Sequence, residues 1–186
     1  MWQTGDVLRM KTGKAGGFTL VEMMISLVIV AIVIAVVAPG FSDLIKNNRM
    51  LSQVYAMRAA LNGARSEALS QRNFVTLCRS ADGASCSSGD WNAGYIVCLD
   101  DDGDRQVDDP NDQRVISRVL DEDTLGISYS GGDWIQFDGR GYVAKGSQGT
   151  FTVCDDRGEN HARGLVVSAG GIVGSAALDP NDPLCD

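Results

Sequence analysis

Residues 16–41 read GGFTLVEMMISLVIVAIVIAVVAPGF, and the 21 positions from Phe18 to Ala38 carry a single charged side chain, Glu22. As a helix this run is about 31 Å long at about 1.5 Å per residue, which matches a hydrocarbon core of about 30 Å. An acid inside such a span costs roughly 2.5–3.5 kcal/mol on insertion scales, which makes Glu22 a functional candidate from the outset.

The flanks orient the span. Arg9, Lys11 and Lys14 precede it against one acid, Asp6, and Asp43 follows it. The positive-inside bias holds residues 1–17 in the cytoplasm and carries everything after about residue 40 across the membrane. A conventional secretory signal fits poorly, because its apolar region is usually about 7–15 residues long. The only small-residue site, Val36-Val37-Ala38, is also followed by Pro39. A plain anchor fits the length but leaves Glu22 without a role.

Of the 186 residues, those from 18 onward hold 13 basic and 23 acidic side chains, a net charge of −10 against −8 for the whole chain. That balance disfavours a polyanion partner, whose phosphates are met chiefly by clustered Lys and Arg. All five cysteines, Cys78, Cys86, Cys98, Cys154 and Cys185, lie beyond the span in one compartment, and none has a zinc-ligand spacing. In an oxidising compartment they make two disulfides and one odd thiol.

Helical periodicity continues past Pro39. Met50, Leu51, Val54, Met57, Leu61, Ala64, Ala68 and Leu69 recur at steps of three and four, with Arg49, Gln53, Arg65, Glu67 and Arg72 on the complementary face. This predicts one helix over about 18–72, bent near Pro39, where a backbone donor is missing. From residue 73 the period changes to two. Strands are predicted at Phe74–Cys78, Tyr95–Leu99, Arg114–Leu120, Gly126–Ser130, Trp134–Phe137, Tyr142–Ala144, Thr150–Cys154, Leu165–Ser168 and, after a tight turn, Gly171–Val173. One amphipathic helix followed by many short strands reads as α+β, with an antiparallel sheet domain packed on the helix's second half.

Residues 16–41 resemble the class III leader of type IV pilins and type II secretion pseudopilins. In that family a basic leader ends in Gly, cleavage falls before Phe, the new amine is methylated, and the fifth mature residue is Glu. The resemblance implies cleavage after Gly17, N-methylation of Phe18, and a helix bend at Pro39. It also implies that Glu22 pairs with the terminal amine of a neighbouring subunit. A buried ion pair adds little net stability, yet either charge alone is costly, so the pair sets axial register. The stretches NNRMLSQVYAMRAALNGARSEALSQRNFVTLC, WNAGYIVCLDDDGD, IQFDGRGYVA, GTFTVC and ARGLVVSAGGIV extend the resemblance to the GspH/FimT group of minor pilins and minor pseudopilins.

The organisation implied is a cytoplasmic leader, 1–17, a transmembrane and filament-core helix, 18–39, its amphipathic second half, 40–72, and a periplasmic β-rich domain, 73–186. The function implied is non-enzymatic and without a cofactor: a minor pilin in a priming or tip complex of the type IV pilus. Its partners would be other minor and major pilins, the prepilin peptidase and methyltransferase, the inner-membrane assembly platform and, before assembly, membrane lipid. The equivalent pseudopilin of type II secretion and a pilus-borne DNA receptor are the alternatives.

Further chemistry is sparse. Cys78 with Cys86, and Cys154 with Cys185, are disulfide candidates whose connectivity spacing does not fix, and Cys98 reads as a buried thiol. The acidic stretch Asp100–Asp112 invites a calcium reading through Asp100, Asp102 and Asp104. It places Arg105 where such loops carry Gly, so a solvated loop is the simpler expectation. His161 stands alone and offers no catalytic constellation. DNA-receptor relatives of the FimT type carry arginines in a Gly-Arg-x-Arg turn, but here that turn reads Gly170-Gly171-Ile172-Val173. Arg157 and Arg163 remain as weak candidate DNA contacts among acids, which makes DNA an unlikely partner.

Overall fold

In the computed structural model residues 17–86, 90–106, 114–119 and 125–178 are described. One α-helix, α1, runs Leu20–Gln71, with unbroken helical assignment through Pro39. The chain divides into two units, Met1–Asp43 and Leu44–Asp186.

In the first unit, the described side chains from Leu20 to Val36 are all exposed, and an 18-residue window reaches a mean hydropathy of 3.0. The run Leu27–Val37 is dominated by Val and Ile, which in water favour strands. A lone strand in hydrocarbon would leave its backbone polar groups unpaired, whereas a helix pairs them internally. The apolar environment therefore overrides side-chain preference.

In the second unit the helix from Leu44 buries Met50, Gln53, Met57, Ala60, Leu61, Ala64 and Ala68. These steps of three and four mark one face, and the alanines at 60, 64 and 68 allow close approach to the strands. Gln53 was expected on the solvent face. It is buried instead, with its Oε1 accepting from Arg118 Nη2 at 3.2 Å, so its polar end is satisfied. Leu69, expected in the stripe, is 45 % exposed. The helix ends where Arg72 turns left-handed at φ 55° and the Asn73 amide reaches back to the Ala68 carbonyl at 3.3 Å. That six-to-one bond closes the last turn, with Arg in the place usually taken by Gly.

Among the described residues eight strands follow: β1 Phe74–Arg79, β2 Gly94–Asp100, β3 Arg114–Val119, β4 Leu125–Tyr129, β5 Trp134–Phe137, β6 Gly149–Asp155, β7 Arg163–Val167 and β8 Val173–Ala176. They make two four-stranded antiparallel sheets, ordered β3-β2-β1-β5 and β4-β6-β7-β8, rather than one. Both sheets and the helix share one apolar core, in which Leu61, Leu77, Val97, Phe137, Phe151 and Leu165 are almost wholly buried. Trp91, just before β2, packs edge-on against Tyr129 of β4 and Phe151 of β6, with centroids 5.7 and 5.0 Å away. It thereby ties the two sheets together.

Two strand expectations change. Tyr142–Ala144 is not a strand, and only Val143 forms an isolated bridge, to Phe137. The Asp138 carboxylate accepts from the amides of Arg140 and Tyr142, and Gly141 takes φ 78°, so a tight turn takes the first donor, while the Val143 and Ala144 amides go to different segments, the Ala169 and Gln136 carbonyls. The last strand begins at Val173, not Gly171. Residues 168–172 close a turn in which the Gly171 amide donates to the Ser168 carbonyl at 2.9 Å.

Candidate functional site

The start of α1 gathers the residues of greatest interest. Gly17 and Phe18 precede the helix and are exposed, Phe18 by 77 %. The Glu22 amide donates to Thr19 Oγ1 at 3.2 Å, and the Thr19 amide donates to Glu22 Oε2 at a longer 3.5 Å. Together they form a capping box, with Thr19 as N-cap and Glu22 three residues in. The acid thus has a local partner within its own chain, beside the positive end of the helix dipole. The T-x-x-E spacing of Thr19-Leu20-Val21-Glu22 carries that signal in the sequence. Reading the acid only as a membrane charge conceals it. Ser26 Oγ adds a bond to the Glu22 carbonyl at 2.8 Å.

At the other end of the molecule's chemistry, the second half of α1 is fastened to the sheet domain by polar side chains. Arg65 Nε donates to the Gly141 carbonyl at 3.0 Å and its Nη2 to the Gly170 carbonyl at 3.3 Å, and Arg58 Nη2 reaches the Val173 carbonyl at 3.2 Å. Lys46 Nζ pairs with Asp156 at 2.7 Å. Arg157 forks onto Asp155, Nε to Oδ2 at 3.0 Å and Nη2 to Oδ2 at 2.6 Å, while Nη2 also donates to Asn47 Oδ1 at 3.0 Å. The Arg157 and Asp155 side chains are only 11 and 3 % exposed. Side-chain bonds from Arg157 hold the Asp155 carboxyl below its usual range, against burial, which pushes it up.

This arrangement bears on the DNA candidates. Arg157 is committed to Asp155 and Asn47, while Arg163, at the start of β7, is exposed. Gly171 sits at φ 74°, and a Cβ there would run into the Gly141 carbonyl oxygen and the Arg65 side chain. An arginine at 171 has no room on this backbone. His161 lies exposed in a short 3-10 turn, Glu159–His161.

Cys78 and Cys86 form a disulfide, and Cys98 is a buried thiol. Inside that loop Asp82 accepts from the amides of Ala84 and Ser85 and from the hydroxyls of Ser80 and Ser85, and these bonds hold its carboxyl far below the usual range. Cys154 is disulfide-bonded, and Cys185, the partner expected for it, lies outside the described residues. The acidic stretch does not read uniformly as a solvated loop. Asp102 and Asp104 are exposed, but Asp100, the last residue of β2, is fully buried. Residues 107–112 of that stretch lie outside the described residues.

Comparison with known proteins gives a consistent picture. The family described as Type II transport protein GspH matches residues 53–171, and the Prokaryotic N-terminal methylation motif matches residues 13–38. No curated protein matches the chain. Two crystal structures of the type IV minor pilin FimU from Pseudomonas aeruginosa are similar in fold at 22 % identity. One superposes with a TM-score of 0.53 over 71 % of this chain and 91 % of FimU, and the other with 0.51 over 68 % and 92 %.

Proposed function

We propose that this chain, which belongs to the Type II transport protein GspH family, is a minor pilin in the priming or tip complex of a type IV pilus. Such a subunit serves assembly, and through it twitching motility and adhesion. One observation carries the reading: an apolar helix of bilayer length whose described side chains are exposed throughout, opened by an exposed Gly-Phe pair and one acid. A surface of that kind needs either lipid or other copies of the same helix around it. Membership of the pilin superfamily and the N-terminal methylation motif supply both, a membrane-anchored subunit that associates with other pilins in a filament.

The steps are as follows. The peptidase cuts after Gly17 on the cytoplasmic side, and Phe18 gains a methylated cationic amine. The subunit waits in the inner membrane, with its sheet domain in the periplasm, until the assembly platform lifts it into the filament. There Glu22 exchanges its contact with the Thr19 amide for the amine of a neighbour, and the requirement to match the two charges sets the axial step. Pro39 supplies the local bend, and the chemistry is assembly without catalysis.

Glu22→Gln isolates the charge, because the amide oxygen can still accept from Thr19 while no ion pair forms. We expect the variant to be cleaved and membrane-bound but poorly incorporated into sheared filaments. Incorporation at the parental level would overturn the register role.

A second reading, the equivalent minor pseudopilin of type II secretion, is favoured by the description of the matching family. The naming of the FimU structures favours the pilus. Deleting the gene and measuring twitching alongside secretion of an exoprotein separates the two, since each reading predicts the loss of one.

A further inference from the structure

The end of β2 holds a buried acid. Asp100 is 0 % exposed there, and its Oδ2 accepts three hydrogen bonds, from Thr76 Oγ1 at 2.6 Å, Gln136 Nε2 at 2.8 Å and the Arg105 amide at 3.1 Å. Its other oxygen, Oδ1, is buried and has no hydrogen-bond partner among the described residues. A buried carboxylate oxygen without a partner is expensive. Carboxylate oxygens of Asp100, Asp102 and Asp104 also lie within 4.8 Å of one another, so three like charges converge. Arg105, the adjacent cation, lays its guanidinium over the Trp134 ring, 4.0 Å from the centroid, and forms no ion pair with them among the described residues.

We propose that Asp100, Asp102 and Asp104 hold a calcium ion. Oδ1 of Asp100 is the buried ligand, the two exposed carboxylates close over it, and water completes the shell. Oxygen-only donors select a hard cation. Calcium accepts the irregular geometry of a loop, whereas magnesium demands a near-octahedral shell and keeps its waters. The spacing is that of the first three ligands of calcium loops. Such loops carry Gly in the sixth place for a sharp turn, and here Arg105 takes that backbone itself, at φ 76°. The loop is also fastened from outside the cluster. Gln136 Nε2 donates to the Gly103 carbonyl at 3.2 Å, and Asn73 Nδ2 to Asp101 Oδ1 at 2.5 Å.

The test is calorimetric titration of the full chain in detergent with calcium chloride, beside thermal melts with calcium chloride and with potassium chloride at matched ionic strength. We expect one saturable event per chain, with a midpoint of about 0.1–1 mM, the range of weak extracellular sites. At tenfold excess the melting temperature should rise by about 3–6 °C with calcium only. The double variant Asp102→Asn, Asp104→Asn should lose at least about tenfold in affinity. Both positions are exposed, and circular dichroism in chelator should confirm a folded variant that melts no lower than the parent, since two of three converging charges are gone. No saturable binding up to about 10 mM would overturn the proposal. So would an equal rise with potassium, or parental affinity in the folded double variant.

Discussion

Thr19 and Glu22 cap one another: each backbone amide donates to the other's side chain, at 3.5 and 3.2 Å, so the acid of the apolar helix also closes that helix's first turn. Two demands therefore converge on one carboxylate, and they are separable. Thr19→Ala removes the hydroxyl acceptor and leaves the charge. It should cost about 0.5–2 kcal/mol at the helix start, seen as faster amide exchange in the first turn, while filament incorporation stays near parental. Loss of incorporation equal to that of Glu22→Gln would make the cap, not the charge, the decisive element.

Gly171 is held where no side chain fits. Its positive φ and the nearby Gly141 carbonyl predict that Gly171→Arg destabilises the domain by about 2–4 kcal/mol, measured by urea unfolding. The parent chain should show little DNA retardation at moderate salt, and salt-sensitive retardation by it would contradict the placement of Arg157 and Gly171.

Acid should act through Asp155. Its carboxyl is held below the usual value of 3.8 by bonds from Arg157, which outweigh the opposing effect of burial. As pH falls below about 4, the unfolded chain takes up a proton that the folded chain resists, so stability rises with pH across that interval. The contribution is complete above it and lost as pH drops through the depressed native value. Asp155→Asn should cost about 1.5–3 kcal/mol at pH 7, and the gap from the parent should narrow towards pH 2.5. A gap constant with pH would show that Asp155 acts through packing alone.

Cys78–Cys86 closes a short loop, with a sequence separation of 8. The double Cys→Ser variant should lose about 2–3 kcal/mol on loop-entropy grounds. Urea unfolding with and without reductant checks this, since reductant should move the parent by more than the variant, which keeps only the Cys154 disulfide.

How much of this was legible beforehand depended on how local each signal was. The helix was readable because Met50, Met57, Leu61, Ala64 and Ala68 repeat within the chain's own turn. Gln53 shares that spacing, but its polarity placed it outside, and the partner that allows its burial, Arg118, lies 65 residues later. Asp100 presents the same difficulty. It ends a strand, β2, whose pairing with β1 brings Thr76 alongside, while the pairing of β1 with β5 brings Gln136, and strand pairing is a long-range fact. The division into two sheets was hidden for that reason, because alternation shows that a strand exists without naming its partner. Tyr142–Ala144 alternates like a strand, yet the Asp138 side chain claims the Tyr142 amide first.

The fasteners along the second half of α1 differ in kind by position. Near its beginning, Lys46 and Asn47 are held by Asp156 and Arg157, and Arg157 is in turn set by a carboxylate that protonates. Further along, Arg58 and Arg65 bind main-chain carbonyls, and a guanidinium does not lose its charge in proteins. Acid therefore acts on this helix as on a zip with one open end, freeing the turn nearest the apolar segment while the far turns stay closed.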